Sequence, residues 1–289
     1  MTNTWMKAID ECSASALASG DLQPVQVEQV DMQDAGMRFV VRWVSSLAVK
    51  DAAGVAIPGG PRDPDFNPFL NPDPELTVGT LGDAHVVILN KFPLCDRHLV
   101  LARRSFEEQL LPLTHSDFAA LAIIMGEAGG TGLYNGGAAA GASQRHKHLQ
   151  WIPPAPDNAC LDFYSAGLPA GLQEQGVAMH PSLAMKHCFV RVHCGLDVPV
   201  GAAAESLQAG FERACSHLEL MPGVDGLLAP FNLLAGNGWL LLVPRSQECF
   251  EQISISAVGF GGTLYTRTRE QIETIRQVGP LQVLAAVGC

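Results

Sequence analysis

The sequence predicts an α+β protein in which a mainly antiparallel sheet is flanked by helices. Short apolar, β-rich runs recur along the chain and are separated by turn residues, as is typical of strands. Two of these runs are joined by only a few residues, which antiparallel neighbours allow and parallel neighbours do not. Helical periodicity is confined to a few segments, so the strands do not alternate regularly with helices as in a parallel sheet.

The first elements are a helix and a group of strands. Residues 1–22 place Met6, Ile9 and Cys12 at roughly helical spacing before Gly20 ends the pattern. Residues 25–50 have the composition of strands. Residues 58–74 are dense in proline, glycine, asparagine and aspartate, which predicts a loop. Long ordered loops are often functional.

The middle of the chain predicts two adjacent strands, a helix and two further strands. Residues 85–93 and 98–102 are apolar runs on either side of a short turn, so we expect an antiparallel pair. A helix opens near Leu113, with Thr114 or Ser116 as its cap, and runs through Met125. Beyond the glycines that end it, the chain predicts a strand at 133–135, a small-residue loop at 136–142 and a strand at 143–153.

The last part of the chain continues this pattern. After an insert with weak signals at 153–187, we expect strands at 188–193, 231–234 and 239–244 and helices at about 201–218 and 267–278. The length allows one large domain or two closely packed ones. We expect a single domain over residues 1–289, with a core at 38–152 and a C-terminal portion at 188–289.

Composition and length suit a globular protein with a sizeable core. The chain has 289 residues, of which 47% are hydrophobic and 16% are charged. No stretch approaches the eighteen or so consecutive apolar residues of a membrane helix, and the first residues lack the apolar segment of a signal peptide. We therefore expect a cytoplasmic protein without a membrane partner.

Charge and cysteine usage narrow the classes of partner. The formal net charge of −11 opposes a nucleic-acid-binding surface, which needs basic patches. A small anionic substrate is still allowed, because a few local donors can hold it. The eight cysteines are scattered without a CxxC pair, which disfavours a structural zinc site or a disulfide framework.

A pair of histidines carries the main chemical signal. If residues 146–151 form a strand, its period of two places His146, His148 and Gln150 on one face and Lys147 on the other. A neutral imidazole is a good nucleophile toward phosphorus, because no base has to ionise it. Gln150 can donate a hydrogen bond to a phosphate oxygen.

Other interpretations of these residues stay open at this point. An isolated His-x-His is more often surface decoration or a metal-binding pair, although a metal needs a third ligand and glutamine is a poor one for zinc. The glycine and alanine run before the strand lets backbone amides approach a polyphosphate closely. Small residues in such loops serve turns and tight packing more often.

The wider pattern matches a known family. The segment Ser-Gln-Arg-His-Lys-His-Leu-Gln at residues 143–150 resembles the signature of diadenosine tetraphosphate (Ap4A) phosphorylases, also called ATP adenylyltransferases. They are a branch of the histidine-triad superfamily in which glutamine replaces the third histidine. Similar stretches occur, with gaps, over about residues 38–288, notably at 89–93, 98–102, 112–117, 134–136, 231–234, 239–246, 258–262 and 279–281. The resemblance implies a histidine-triad-like fold in one catalytic domain. The core at 38–152 would carry the nucleophile, and the C-terminal portion at 188–289 would complete the fold and the substrate site.

The resemblance also implies a two-step nucleotidyl transfer. His148 would attack the α-phosphorus of diadenosine tetraphosphate and release ATP, and inorganic phosphate would then attack the adenylyl-histidine to give ADP. Gln150 would bind phosphate oxygens and orient His148. His146 would be a supporting residue, hydrogen-bonded to the backbone.

The substrate-binding residues follow from the same resemblance. Without it, Lys50 and Lys91 would be ordinary solvated lysines. Relatives tend to have asparagine, methionine and lysine among the last positions of the set, and Arg267 could replace such a lysine with a forked geometry. The full expected set is Lys50, Asn90, Lys91, Asn135, Gly141, Ala142, Ser143, Gln144, Gln150, Ser256, Ala257, Val258, Thr263 and Arg267.

Cofactors and the remaining histidines are weaker expectations. No ligand cluster in the sequence requires a metal, although magnesium could accompany the polyphosphate. The small-molecule partners would be diadenosine polyphosphates, phosphate, ATP and ADP. We expect core or surface roles for the other histidines, with a structural role for His98 at a turn typical of the superfamily. Those histidines are His85, His98, His115, His180, His187, His193 and His217.

Two alternative functions remain at this stage. Hexose-1-phosphate nucleotidylyltransferases also use His-x-His-x-Gln, but they usually have proline between the histidines, where this chain has Lys147. They also frequently carry metal-binding cysteines and histidines upstream. A nucleotide-binding sensor that has lost turnover is the second alternative, and the presence of His148 and Gln150 disfavours it.

Overall fold

A nine-stranded sheet forms the centre of the protein. The structure is a computed structural model that describes residues 4–24, 28–43 and 67–289. The large sheet has the strand order β3-β4-β5-β7-β6-β10-β11-β9-β8. Its strands are β3 (Thr77–Leu81), β4 (His85–Leu89), β5 (Leu99–Arg103), β6 (Thr131–Gly136), β7 (His148–Ile152), β8 (Val177–Ala178), β9 (Cys188–Arg191), β10 (Phe231–Gly236) and β11 (Trp239–Pro244).

Every pair of neighbours in this sheet is antiparallel. The predicted α+β class with a mainly antiparallel sheet is therefore confirmed, as is the predicted pairing of β4 with β5. The pair formed by β6 and β10 joins strands that are far apart in the chain, because Asn135 lies opposite Asn232. One continuous sheet thus carries both the histidine strand and the C-terminal strands.

Two smaller sheets complete the strand inventory of the described residues. Strands β1 (Glu28–Asp34), β2 (Met37–Trp43) and β14 (Thr263–Thr266) form one sheet, and β12 (Cys249–Phe250) pairs with β13 (Ile253–Ser254). Strand β14 pairs with β2 in parallel, with Thr263 opposite Val40. This pairing brings the C-terminal segment of the expected substrate site against the N-terminal region.

Five α-helices occur in the described residues: α1 (Thr4–Ser19), α2 (His115–Ala128), α3 (Val200–His217), α4 (Arg269–Val278) and α5 (Pro280–Val287). The start of α2 follows the sequence prediction, because Thr114 and Asp117 form a reciprocal capping box. Gly129, with a φ of 65°, ends that helix. Helix α5 was not predicted. Pro280 begins it directly after Gly279, whose φ of 93° turns the chain out of α4.

Two buried clusters of apolar side chains form the core. One cluster packs Phe118 of α2 and Phe211 of α3 with Trp151 of β7. The other contains Phe39, Leu133 and Phe260 and includes residues of α4 and α5. Because strand side chains alternate between faces, neighbouring residues such as Gln150 and Trp151 point to opposite sides of the sheet.

The histidine strand is shorter than predicted. We expected a strand over 143–153, but β7 covers only His148–Ile152, and His146 forms only an isolated bridge with Glu108. The prediction of strands over 25–50 can be followed only to Trp43, because residues 44–66 lie outside the described part of the chain. None of the helices that the structure describes is both long and apolar enough to span a membrane.

Candidate active site

A cavity of ≈ 860 Å³ lies beside the histidine strand. Its wall collects most of the residues expected to bind substrate, from four separate parts of the chain. Those that line it are Asn90, Lys91, Asn135, Gly141, Ser143, Gln144, His148, Gln150, Ser256, Ala257, Val258, Thr263 and Arg267. Ala142 and His146 are buried and do not line the cavity, and Lys50 lies outside the described residues.

The imidazole of His148 is oriented by a hydrogen bond to the backbone of its own segment. Its Nδ1 lies 2.8 Å from the carbonyl oxygen of His146, so the ring proton is placed on Nδ1 and donated to that oxygen. The lone pair is then on Nε2. Burial lowers the pKa of His148 to about 4, so the ring is neutral at pH 7. Phe69 packs beside the imidazole with 4.8 Å between ring centroids.

The imidazole of His146 is held by two hydrogen bonds, one to the backbone of Arg103 and one to the side chain of Asn67. Its Nε2 lies 2.7 Å from the carbonyl oxygen of Arg103, which places the proton on Nε2. Its Nδ1 can then accept a hydrogen bond from the amide nitrogen of Asn67 at 3.0 Å. Burial is the main cause that lowers the pKa of His146. The expected hydrogen bond from His146 to the backbone is therefore present, and the carbonyl of His146 in turn orients His148.

The side chain of Gln150 is hydrogen-bonded to His98. Its Oε1 lies 2.8 Å from Nε2 of His98. Nδ1 of His98 accepts a hydrogen bond from the backbone N–H of Leu94 at 3.3 Å, so the proton of His98 is on Nε2 and is donated to Gln150. Burial lowers the pKa of His98 to about 4, which keeps the ring neutral. The amide nitrogen of Gln150 is thereby left as the end that can donate to a phosphate oxygen.

His98 lines the cavity and contacts Gln150 directly, and the sequence did not reveal this contact. From the sequence we expected a structural role for His98 at a turn. The reason for the contact is register. Val100 of β5 lies opposite Gln150 of β7, and His98 directly precedes β5. A correct pairing of these two strands is the signal that could have found the contact.

A buried polar network joins the glycine-rich loop to the segment at 256–261. Oδ1 of Asn135 accepts hydrogen bonds from the backbone N–H of Ala257 at 2.8 Å and from Nδ2 of Asn232 at 2.8 Å. Nδ2 of Asn232 also donates to the carbonyl of Ala140 at 2.9 Å. Because Asn232 bonds to both, it fixes the position of the loop relative to Asn135.

Arg245 closes this network beneath the cavity. Its guanidinium donates to Oδ1 of Asn232 and, at 2.9 Å, to the carbonyl oxygen of Ile255. Burial lowers the pKa of Arg245 to about 10, so the side chain still carries its positive charge at pH 7. The family resemblance included residues 231–234 and 239–246, but it did not identify Asn232 or Arg245 as site residues. A buried Asn on a strand is found only once its partner strand is known.

Gly141 allows two chain segments to approach closely. Its φ of +87° is in the left-handed region, and a Cβ placed there would lie 3.0 Å from Cβ of Ser256 and 3.1 Å from the carbonyl oxygen of Ile255. The loop that leads to the histidines therefore packs directly on the C-terminal wall of the cavity. The small residues at 136–142 therefore allow close packing of two chain segments. They would also allow backbone amides to approach an anion.

The charged residues near the histidines divide between the cavity and the opposite face. Lys91 and Arg267 line the cavity. Arg145 instead forms an exposed ion pair with Glu108. Lys147 is buried away from the cavity, where its Nζ lies 3.3 Å from Glu107 and 3.4 Å from Asp117. Within the described ranges, no group of three or more His, Cys, Asp or Glu side chains could hold a metal ion.

Comparisons with known proteins agree along nearly the whole chain. Residues 1–171 match the family model of the Ap4A phosphorylase N-terminal domain, and residues 181–289 match that of the ATP adenylyltransferase C-terminal domain. Diadenosine 5',5'''-P1,P4-tetraphosphate phosphorylase 2 of Saccharomyces cerevisiae is 26% identical over 299 residues, with 91% of this chain and 87% of the relative covered. Protein APA1 of the same yeast is also 26% identical, over 290 residues, with the same coverage of both chains.

Solved structures of a yeast Ap4A phosphorylase share the fold. The structure of Apa2 in complex with AMP has a TM-score of 0.80 at 21% identity and covers 100% of this chain and 97% of its own. The structure of Apa2 in complex with Ap4A has a TM-score of 0.74 at 22% identity and covers 98% and 96% of the two chains. The chain therefore shares the fold of these structures over nearly its whole length.

Proposed function

We propose that this chain, which belongs to the Ap4A phosphorylase family, is a nucleotidyltransferase. It converts Ap4A and phosphate to ATP and ADP through an adenylyl-histidine intermediate. One observation supports this chemistry above all. His148 is neutral, lines the cavity, and has its Nδ1 proton bound by the carbonyl of His146 at 2.8 Å. This arrangement leaves Nε2 as the nucleophilic atom without help from a base.

The first step forms a nitrogen–phosphorus bond. Nε2 of His148 attacks an α-phosphorus of Ap4A, and the bond from that phosphorus to its bridging oxygen breaks, so ATP leaves. The imidazole becomes positively charged and keeps its proton on Nδ1. The carbonyl of His146 stabilises this charge through the same hydrogen bond. No proton has to move in this step.

The second step reverses the bond change with a new acceptor. An oxygen of inorganic phosphate attacks the adenylyl phosphorus, the nitrogen–phosphorus bond breaks, and ADP leaves. His148 returns to the neutral ring that began the cycle. Gln150 supports both steps, since an amide can donate to phosphate oxygens but cannot supply a proton to a leaving group.

The remaining cavity residues are proposed to bind the substrate. Asn135 and the loop with Gly141, Ser143 and Gln144 lie beside His148 and are assigned to the phosphates. Lys91 and Arg267 would offset part of the polyphosphate charge. Asn90, Ser256, Ala257, Val258 and Thr263 complete the wall on which the rest of the nucleotide is held. Ala142, which is buried, supports the loop, and Lys50 remains an expected contact.

A divalent cation would enter with the substrate in this proposal. A polyphosphate chelates magnesium, and the cation would reduce the negative charge that the cavity has to accept. The described residues supply no ligand cluster for a resident metal.

A cytoplasmic location is part of the same proposal. In the described part of the chain, the free thiols include Cys12, Cys95, Cys160, Cys188, Cys194, Cys215 and Cys289. Thiols persist in reducing compartments, and ATP and phosphate are available there. The composition of the chain is consistent with this location.

Trapping the intermediate tests the proposed function. The enzyme is mixed with Ap4A labelled in the α-phosphates, without inorganic phosphate, and the protein is kept alkaline because phosphoramidates are acid-labile. We expect one adenylyl group on His148 by peptide mapping, and release of labelled ADP when phosphate is added. His148→Ala should abolish ATP release, and His148→Gly should still bind nucleotide. Undiminished turnover in His148→Ala would reject the assignment, and uridylyl transfer from a UDP-hexose would favour the hexose alternative.

A further inference from the structure

Strands β6 and β7 separate at the catalytic histidine. Their ladder pairs Thr131 with Ile152, Gly132 with Trp151 and Leu133 with Gln150, and it ends there. Continued in the same register, it would place Asn135 opposite His148. Both of these residues line the cavity. The two strands therefore part where the nucleophile and a proposed phosphate-binding residue face each other.

The carboxamide of Gln109 occupies the position of the missing ladder bonds. Its Oε1 accepts a hydrogen bond from the backbone N–H of His148 at 2.8 Å. Its Nε2 donates to the carbonyl of His148 at 3.1 Å and to the carbonyl of Asn135 at 2.8 Å. One side chain thus bonds to the backbone of both strands, and it uses both of its amide hydrogens and one lone pair of its oxygen.

Gln109 is itself fixed on both sides. It is 2% exposed, and its backbone N–H donates to the carbonyl of Arg145 at 2.7 Å. Its own carbonyl accepts a hydrogen bond from the hydroxyl of Tyr134 on β6. Gln109 lies in the connection between β5 and α2, and its backbone is bonded both to Arg145 and to β6. These bonds fix the place from which its carboxamide reaches the two strands.

Glutamine is the residue type that this gap requires. Glutamate has the same length but, when ionised, offers no donor to the two carbonyls, and methionine fills the space without any polar group. Asparagine is one methylene shorter and cannot reach both strands. An unsatisfied backbone N–H or C=O in a buried site is costly, so the gap closes or distorts when the carboxamide is removed.

We propose that Gln109 is a positioning residue for the nucleophile, because its carboxamide sets the spacing between His148 and Asn135. The kinetic consequence rests on the proposed function. With the carboxamide present, the backbone of His148 is fixed on the side where β7 no longer pairs with β6, and Nε2 stands at a set place relative to the phosphate. Without it, the substrate still binds to the cavity wall, but the attacking nitrogen is misplaced.

The kinetic test compares three variants of the full chain. Gln109→Met removes all three hydrogen bonds, and Gln109→Glu keeps the acceptor for His148 but loses both donors. Gln175→Met is the matched control. It removes the hydrogen bond from the side-chain amide of Gln175 to the carbonyl oxygen of Ser206, outside the cavity. A displacement of about 1 Å costs on the order of 10²-fold in rate, so kcat for Gln109→Met should fall by about that factor while KM changes by less than about threefold. The control should keep the wild-type kcat.

Two kinetic outcomes would overturn the proposal. One is a kcat for Gln109→Met within about threefold of wild type. The other is an equal loss of kcat in Gln175→Met when both proteins are compared at the same folded fraction, because the effect would then be general destabilisation. If Gln109→Met does not fold, Gln109→Glu carries the same comparison.

A second measurement does not depend on turnover. Hydrogen exchange at the backbone amide of His148 reports the bond to Oε1 of Gln109, and the amide of Gln150 in the same strand is the internal reference. In Gln109→Met the His148 amide should exchange at least about 10-fold faster relative to that reference. Unchanged relative exchange overturns the positioning role. Failure of wild-type enzyme to phosphorolyse Ap4A, with the exchange result as expected, would reject the proposed function alone.

Discussion

Nε2 of His98 lies 2.8 Å from Oε1 of Gln150, and this bond determines which end of the glutamine amide is available in the cavity. Nδ1 of His98 is already an acceptor for the N–H of Leu94, so His98 can only donate to Gln150. Gln150 must then use its oxygen toward His98 and its amide group toward a ligand. A glutamine side chain that could rotate freely would present either end.

Replacement of His98 by phenylalanine should weaken catalysis through Gln150. The variant removes the donor while it keeps a ring of similar size, so the amide can turn its oxygen toward the phosphate. A hydrogen bond to a charged group contributes about 1.5–3 kcal/mol, which predicts a fall in kcat/KM of roughly 10- to 100-fold. His98→Gln, which can still place a donor near Gln150, should lose less. Equal kcat/KM in His98→Phe and wild type would contradict this role.

The rate of adenylyl transfer should remain high well below neutral pH. Only the neutral ring of His148 has a lone pair on Nε2, and burial lowers the pKa of this ring to about 4. The rate should therefore be level as pH falls from 7 to about 5 and should drop by half near pH 4. The measurement is the burst of ATP release from Ap4A at limiting substrate concentration without phosphate, so that ionisation of phosphate does not contribute. An acid limb centred near 6.5 would show that the ring is not desolvated.

Substitution of Gly141 by alanine should reduce activity by displacing the loop. The new Cβ would lie 3.0 Å from Cβ of Ser256, and the φ of +87° is unfavourable for alanine. We expect kcat/KM to fall by at least about 10-fold, with a loss of unfolding free energy of about 1–2 kcal/mol. Gly20→Ala is the control, since Gly20 has a φ of +86° with nothing within 4 Å of the added atom. Similar activity losses in both variants would point to backbone strain instead of displacement.

Replacement of Asn232 by alanine should affect both stability and substrate binding. Arg245 would lose an acceptor while it remains buried and charged, and Asn135 and Ala140 would lose the donor that joins them. Because a broken hydrogen bond to a buried charge costs about 2–4 kcal/mol, urea unfolding should show a loss of that order. KM for Ap4A should rise as well. An unchanged KM would mean that Asn232 supports the fold only.

The parts of the site that lie close together in sequence could be predicted, and the contacts between distant segments could not. The period of a strand placed His148 and Gln150 on one face, and both line the cavity. The same argument extended the strand to His146. In the structure, His146 forms only a bridge with Glu108, and the backbone N–H of His148 donates to the side chain of Gln109. A buried glutamine in a connection gives no periodic signal. Its role depends on which two strands it separates.

Long-range pairing accounts for the other differences. Asn135 and Asn232 are 97 residues apart and meet only because β6 and β10 are neighbours. Strand β14 reaches the site through a parallel pairing with β2, and no local pattern specifies that choice. Helix α5 was missed because its eight residues are too few for a clear helical period.

The pairing of β6 with β10 has a consequence for synthesis of the chain. A ribosome must add about another hundred residues after Asn135 before β10 can pair with β6. Until then, the edge of β6 that will bind β10 is unpaired. The nascent N-terminal part therefore presents an open strand edge together with incomplete walls around His148. A chain truncated before β10 would leave this edge of β6 unpaired and would lack the wall of the cavity that residues 256–267 form.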